Sequence, residues 1–246
     1  MSKDEVALIT GAGRGIGRGI ATELSRTHQV IGTYRARLDT AESLRDEYGA
    51  DVVQCDIGSK GDRAALLEYV KSRYGRLDLV VNNAGMAPRE RRDILDAGEP
   101  GFDELIAVNV KGPHFLTQQA APMMMERGSG RIIFITSISA YTVSTSRADY
   151  CISKAALSMS AALYAQRLAK HNVLVFEIRP GIIRTDMIAR VEQDYETKIA
   201  GGLLPQGRMG ETQDVARVVR AIADGLLDYS AGVVIDVDGG FRLRSL

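Results

Sequence analysis

Short β-branched runs alternate with longer segments of helical period along the whole of this 246-residue chain. That alternation leaves few folds open. Strands are predicted at 6–10, 30–34, 51–54, 77–81, 131–136, 173–178 and 233–237. Helices are predicted at 15–26, 40–48, 63–74, 102–127, 150–171 and 213–224. Several strands are apolar without interruption, which implies burial on both faces and hence a parallel sheet. Parallel neighbours need right-handed crossovers, so the helices must cover both sides of the sheet. No linker-like composition break divides the chain, and the expectation is one doubly wound α/β domain over 1–246. The segment 183–209 is polar and irregular, with Gly201, Gly202, Pro205 and Gly207. It is expected to be a mobile substrate lid.

Charge excludes some functions. Lys+Arg and Asp+Glu both number 31, so the broad basic footprint of a nucleic-acid binder is missing. No apolar run has the length of a membrane span. The amino-terminal Met1-Ser2-Lys3-Asp4-Glu5 carries no signal-peptide core. The two cysteines, Cys55 and Cys151, are in no metal-ligand spacing, and His28, His114 and His171 are scattered. A reduced cytoplasmic protein without a metal is expected.

The first strand runs into Thr10-Gly11-Ala12-Gly13-Arg14-Gly15-Ile16-Gly17. Glycines let the backbone take positive φ and approach a ligand closely. The helix that follows offers unpaired N–H groups to a pyrophosphate. Placed between strand and helix in the first βαβ unit, the turn points to a dinucleotide. In such folds an acid at the end of strand two grips the ribose hydroxyls and selects NAD. Here Tyr34 stands at that place, followed by Arg35 and Arg37, with no carboxylate until Asp39. An arginine can pair with a 2′-phosphate, and Arg14 could approach the same group. NADP is therefore expected over NAD, with NAD still open.

Tyr150 and Lys154 share one face of a predicted helix at i and i+4. Ser137 lies thirteen positions earlier, just past a strand end. Ligands of open α/β sheets bind beyond the carboxyl ends of the strands, so Ser137 should face the crevice of the glycine turn. A carbonyl that receives hydride becomes an alkoxide and needs a proton. A free tyrosine titrates near 10 and is a poor base at neutrality. A nearby ammonium and a positive nicotinamide would lower that value. Lys154 can supply the ammonium and bind ribose hydroxyls, and Ser137 can donate to the developing oxyanion.

Together these residues resemble the short-chain dehydrogenase/reductases over essentially the whole length. The matching pieces are the glycine turn at 11–17, Asp56, Asn82-Asn83-Ala84-Gly85, Asn109, Ser137, Tyr150-x-x-x-Lys154, Pro180-Gly181 and Asp238-Gly239-Gly240. The resemblance implies a Rossmann-type domain with a seven-stranded parallel sheet flanked by helices. It implies that Asp56 and Ile57 border the adenine and that Asn83, with Ala84 and Gly85, lies along the cofactor. Asn109 would complete a tetrad with Ser137, Tyr150 and Lys154, holding a water for proton relay. Ile183 and Thr185 would contact the carboxamide side of nicotinamide, beside Pro180 and Gly181. Members are usually homodimers or homotetramers.

Within the family, the chain looks most like bacterial 3-oxoacyl-acyl-carrier-protein reductases, through Val30-Ile31-Gly32-Thr33, Arg184-Thr185-Asp186-Met187 and Pro205-x-Gly207-Arg208-Met209-Gly210. The implied substrate is a small carbonyl or alcohol, free or linked to a carrier or CoA. Sugar, polyol and cyclic ketone dehydrogenases of the same family share these stretches, and a dinucleotide-binding sensor without catalysis is the other reading. Related epimerases and dehydratases carry a longer carboxyl-terminal region than the six residues that follow Gly240 here. Related enoyl reductases space their Tyr and Lys differently. Arg89, Arg91, Arg92 and Arg147 could face the entrance of the site and steer an anionic substrate, or equally be solvated.

Overall fold

In the computed structural model, residues 4–243 are described. Met1-Ser2-Lys3, at the start of the segment read above for a signal core, lies outside the described residues. The strands are β1 (Val6–Ile9), β2 (Gln29–Tyr34), β3 (Asp51–Gln54), β4 (Leu79–Asn82), β5 (Gly130–Ile135), β6 (Val173–Pro180) and β7 (Val234–Val237). The helices are α1 (Gly15–Leu24), α2 (Leu38–Tyr48), α3 (Lys60–Tyr74), α4 (Glu99–Ile106), α5 (Gly112–Arg127), α6 (Ala148–Leu168), α7 (Glu192–Ala200) and α8 (Thr212–Ala223). One seven-stranded sheet runs β3-β2-β1-β4-β5-β6-β7, with every neighbouring pair parallel.

The pleat sends alternate side chains to opposite faces, so the sheet has a core on each side. Val6, Leu8, Ile132 and Phe134 pack with residues of α3, α5 and α6. Ala7, Ile9, Ile133 and Ile135 pack with residues of α1 and α8. This double burial explains the unbroken apolar runs in the sequence. The chain steps from β1 outward through β2 to β3, then crosses back to lay β4 on the other side of β1. That reversal opens a crevice at the carboxyl ends of β1 and β4.

Two elements differ from the sequence reading. The helix expected over 102–127 is divided: α4 passes through a π-helical turn at Ala107–Lys111 before α5 begins. Pro113 has no N–H, so the α-helical bond to the Asn109 carbonyl cannot form. The Gly112 N–H instead reaches the carbonyl of Ala107, five residues back, and wider turns of this kind recur at functional sites. Asn109 is completely buried as a result. Gly112 is also a close crossing, since a Cβ there would lie 2.8 Å from the Ile57 carbonyl oxygen.

The segment 183–209 is the second difference. It contains α7 and a preceding 3₁₀ turn at Ala189–Val191. It also has its own small core of Ile182, Ile199, Leu204 and Met209. Arg184 ties it together through ion pairs with Glu192, Glu196 and Glu211.

Gly112→Ala should shift α5 against the loop after β3 and cost about 1–3 kcal/mol, the usual penalty for overpacking. Urea denaturation is expected to show a lower midpoint at an unchanged slope. An unchanged midpoint would mean that the crossing has room to spare.

Candidate active site

A cleft of about 470 Å³ runs along the carboxyl ends of the strands. It is bordered by every residue expected at the site except Asn109, which stands behind it. One end is built on the glycine turn. Gly11 and Gly15 take positive φ, 68° and 54°, a region other residues enter only at a cost. Gly17 is required by packing: a Cβ there would lie 2.2 Å from the Gly11 carbonyl oxygen and 2.4 Å from Asn83 Nδ2. Asn83 Nδ2 donates to the carbonyls of Thr10 (2.8 Å) and Gly11 (3.2 Å). Thr10 Oγ1 accepts from the N–H groups of Asn83 and Ala84. Thus Asn83, expected along the cofactor, spends its side chain on shaping the turn.

Around this end, Asp56 Oδ1 accepts from the Gly58 N–H. The Ile57 carbonyl accepts from the buried Arg63 guanidinium at 2.6 Å, which fixes the loop. Thr33 Oγ1 accepts from the Gly11 N–H, so β2 also supports the turn. Among the arginines, Arg37 is held by Asp39 through Nε and Nη2, and Arg14 lies 3.7 Å from Asp186. Arg35 is exposed at the cleft border. At the other side, a Cβ on Gly181 would meet the Asp238 backbone at 2.7 Å, and one on Gly15 would meet Thr185 Cγ2 at 3.4 Å. The base of the 183–209 segment therefore rests on the glycine turn.

At the middle of the cleft stand Tyr150 and Lys154, 9% and 5% exposed. Lys154 Nζ lies 5.7 Å from the centre of the Tyr150 ring and donates to the Ile135 carbonyl at 3.2 Å. Ser137 Oγ accepts from the Ser139 N–H at 3.0 Å, leaving its O–H to donate into the cleft. Asn109 is engaged at both ends of its amide. Oδ1 accepts from the Met86 N–H, while Nδ2 donates to the Met86 carbonyl and to Ser153 Oγ. Ser153 Oγ donates in turn to the Tyr150 carbonyl. Asn109 thus couples the loop after β4 to the turn of α6 that carries Tyr150.

Burial governs the ionisation of the pair. In the protein alone the Tyr150 phenol is pushed up from 10.0 by burial, against a hydrogen bond with Ser137 and the charge of Arg147. Burial therefore raises the phenol before any dinucleotide is present, where the sequence pointed to a lowering by the neighbouring ammonium. Lys154 is pulled down to about 8 by burial, with the Glu177 carboxylate opposing. Both shifts have one origin: a charged form loses its water.

Glu177 escaped the sequence reading. It is 3% exposed on β6 and accepts from Thr136 Oγ1, Ser158 Oγ and Arg179 Nε at 2.7–2.8 Å. Thr136 precedes Ser137, and Ser158 lies one helical turn beyond Lys154. A Glu and an Arg two positions apart in an otherwise apolar strand were the available signal, since like-spaced residues share a face.

The family model described as Enoyl-(Acyl carrier protein) reductase matches residues 11–242. A 3-oxoacyl-[acyl-carrier-protein] reductase of Aquifex aeolicus is 33% identical over 245 residues, covering 96% of each chain. The enzyme of the same name from Haemophilus influenzae is 32% identical and covers 97% of this chain and 98% of its own. A crystal structure of a 3-oxoacyl-[acyl-carrier protein] reductase from Brucella melitensis in complex with NAD superposes with a TM-score of 0.93 at 37% identity, covering all of both chains. The chain belongs to the short-chain dehydrogenase/reductase family and is an NAD(P)-dependent oxidoreductase acting on a carbonyl/secondary alcohol pair.

The buried lysine makes a stability prediction. Buried, Lys154 titrates at about 8, below the ordinary lysine value of 10.5, so between these values the unfolded chain binds the extra proton and stability rises with pH. The cost of burying the ammonium is fully present below about pH 8 and fades towards 10.5. Lys154→Met should remove that rise, of about 2–3 kcal/mol. Urea midpoints of both proteins from pH 7 to 10 would show it as a converging difference. A difference constant with pH would contradict it.

Proposed function

We propose that the chain reduces the 3-oxo group of an acyl thioester, using NADPH in preference to NADH, with Tyr150 as proton donor. The observation that carries this reading is the buried Tyr150–Lys154 pair beside Ser137 in the cleft that the glycine turn begins. The spacing of four between Tyr150 and Lys154 favours a carbonyl over an enoyl substrate. The names of the relatives supply the thioester.

The cleft suits a dinucleotide. At Gly11, Gly13 and Gly15 the backbone itself forms the wall, and the α1 amino terminus faces a pyrophosphate placed there. Ile183, Thr185 and Tyr150 border the part of the cleft that would hold a reduced nicotinamide, which would supply the hydride for the substrate carbon. Tyr150 gives its phenol proton to the substrate oxygen, so the C=O bond becomes C–H and O–H. Ser137 donates a hydrogen bond to that oxygen as its charge grows. Lys154, when protonated, stabilises the phenolate left on Tyr150. Asn109 holds Tyr150 in register through Ser153. With its side chain already engaged, the water-holding role implied by the family falls to its backbone carbonyl.

The NADP preference rests on the end of β2, where Tyr34 replaces an acid. Arg35 is the cation for a 2′-phosphate, because Arg37 is already bound to Asp39 and Arg14 faces Asp186. The segment 183–209 acts as a lid that moves as a unit on its own small core. Ile152, Met159 and Leu163 leave an apolar stripe exposed on α6, and Leu226 and Tyr229 a second patch beside edge strand β7. Two separate apolar faces would serve the two interfaces of a homotetramer, and one of them that of a homodimer. No described helix is long and apolar enough to cross a membrane, and both cysteines are free. We place the enzyme in the cytoplasm.

Tyr150→Phe should reduce turnover of a 3-oxoacyl thioester at least about 10³-fold while the Kd for NADPH stays within about twofold. Retained turnover would remove Tyr150 from the chemistry. Arg35→Ala should weaken NADPH about tenfold and leave NADH nearly unchanged, as expected for one lost charge-assisted bond. Equal losses for both cofactors in a fluorescence titration would contradict the 2′-phosphate assignment.

A further inference from the structure

The arginines read from the sequence near the entrance of the cleft separate sharply in the structure. Arg89 is neutralised by Glu104 through two bonds of 2.8 and 2.7 Å, and Arg92 by Glu90. Neither these two nor Arg91 borders the cleft. Arg147 does. It ends the 3₁₀ turn Thr145–Arg147 that leads into α6, is half-buried, and places its guanidinium carbon 5.7 Å from the centre of the Tyr150 ring. Among the described residues, the ion pairs that neutralise Arg14, Arg89 and Arg92 have no counterpart at Arg147.

No carboxylate holds this guanidinium, so its donors can meet an anion that enters the cleft. Its planar fork matches a carboxylate through two parallel bonds. Its place over the Tyr150 ring, 5.7 Å from the ring centre, puts such a carboxylate close to the phenol. One molecule can present a carbonyl to the phenol and a carboxylate to Arg147 only if the two groups are a few bonds apart. The phosphate of a carrier arm is much farther from the reacting carbon. Met86 from the loop after β4, Met187 and Ile188 from the lid, and Tyr195 from α7 border the same cleft, as do the charged Lys154 and Asp186, of which Asp186 faces Arg14.

We propose that Arg147 forms a carboxylate subsite beside Tyr150, so that the enzyme also takes small oxo acids whose free carboxylate lies a few bonds from the reacting carbonyl. The subsite rests on the carbonyl-reduction reading above but not on the thioester.

Binding tests this without turnover. Pyruvate, acetoacetate and 4-oxopentanoate, each beside its methyl ester, would be titrated calorimetrically into the enzyme saturated with oxidised dinucleotide. At least one acid is expected to bind tenfold or more tightly than its ester. Arg147→Gln should erase that preference while the ester stays within about threefold, and Arg147→Lys should keep part of it. Equal or undetectable binding of acids and esters to the unaltered enzyme would overturn the subsite. So would a preference that survives Arg147→Gln, or an equal loss of acid and ester, which would assign Arg147 to Tyr150 instead of the substrate. Because no hydride moves, failure here is distinct from failure of the reduction reading, which shows as missing Tyr150-dependent NADPH oxidation.

Discussion

The side-chain amide of Asn83 donates to the carbonyls of Thr10 and Gly11, and through them the ends of β1 and β4 are held together at the point where the strand order reverses. The amide occupies the space a Cβ on Gly17 would need, so α1 can start close against the turn only because Gly17 has none. The glycine turn is therefore not a flexible loop awaiting a ligand. It is a fixed wall whose shape is set by a side chain from another strand. The same loop after β4 is gripped farther along by Asn109 at Met86, and Asn109 reaches α6 through Ser153. One continuous set of bonds thus connects the dinucleotide end of the cleft with the helix turn that carries Tyr150.

Burial creates the second constraint. A phenol and an ammonium placed in the same dry site both resist ionisation, and the protein opposes this with a few charges. Glu177 acts on Lys154 and Arg147 on Tyr150. Glu177 is itself kept by Thr136, Ser158 and Arg179. As a fully satisfied polar network, it can hold a charge beneath the site that an isolated carboxylate could not. A buried lysine near neutral pKa is an expected sign of a functional site, at a cost to stability.

Most of the architecture was legible because it is written in periods: strands buried on both faces read as apolar runs, and amphipathic helices lie between them. That Tyr150, Lys154, Ser137 and the glycine turn line one cleft was legible because strand carboxyl ends and one helix face converge there in an open parallel sheet. Three features were not. The π turn at Ala107–Lys111 depends on the combination of Gly112 and Pro113 with the approach of Ile57, a contact from 55 residues away in sequence. Helix α7 carries only sparse apolar positions, Tyr195 and Ile199, and packs on a small core of residues separated in sequence. The separate fates of Arg89, Arg92 and Arg147 depend on which carboxylates happen to be adjacent in space, which spacing does not encode.

The central claim is that burial, and not the neighbouring lysine, controls Tyr150 until a cationic dinucleotide arrives. The most direct measurement is an ultraviolet difference titration of phenol ionisation, unaltered protein minus Tyr150→Phe, with and without saturating oxidised dinucleotide. The account predicts that the Tyr150 phenol titrates above 10.0 in the free protein and moves below it when the positive nicotinamide is bound. A phenol that already titrates well below that value in the free protein, or one that does not move on binding, would contradict it.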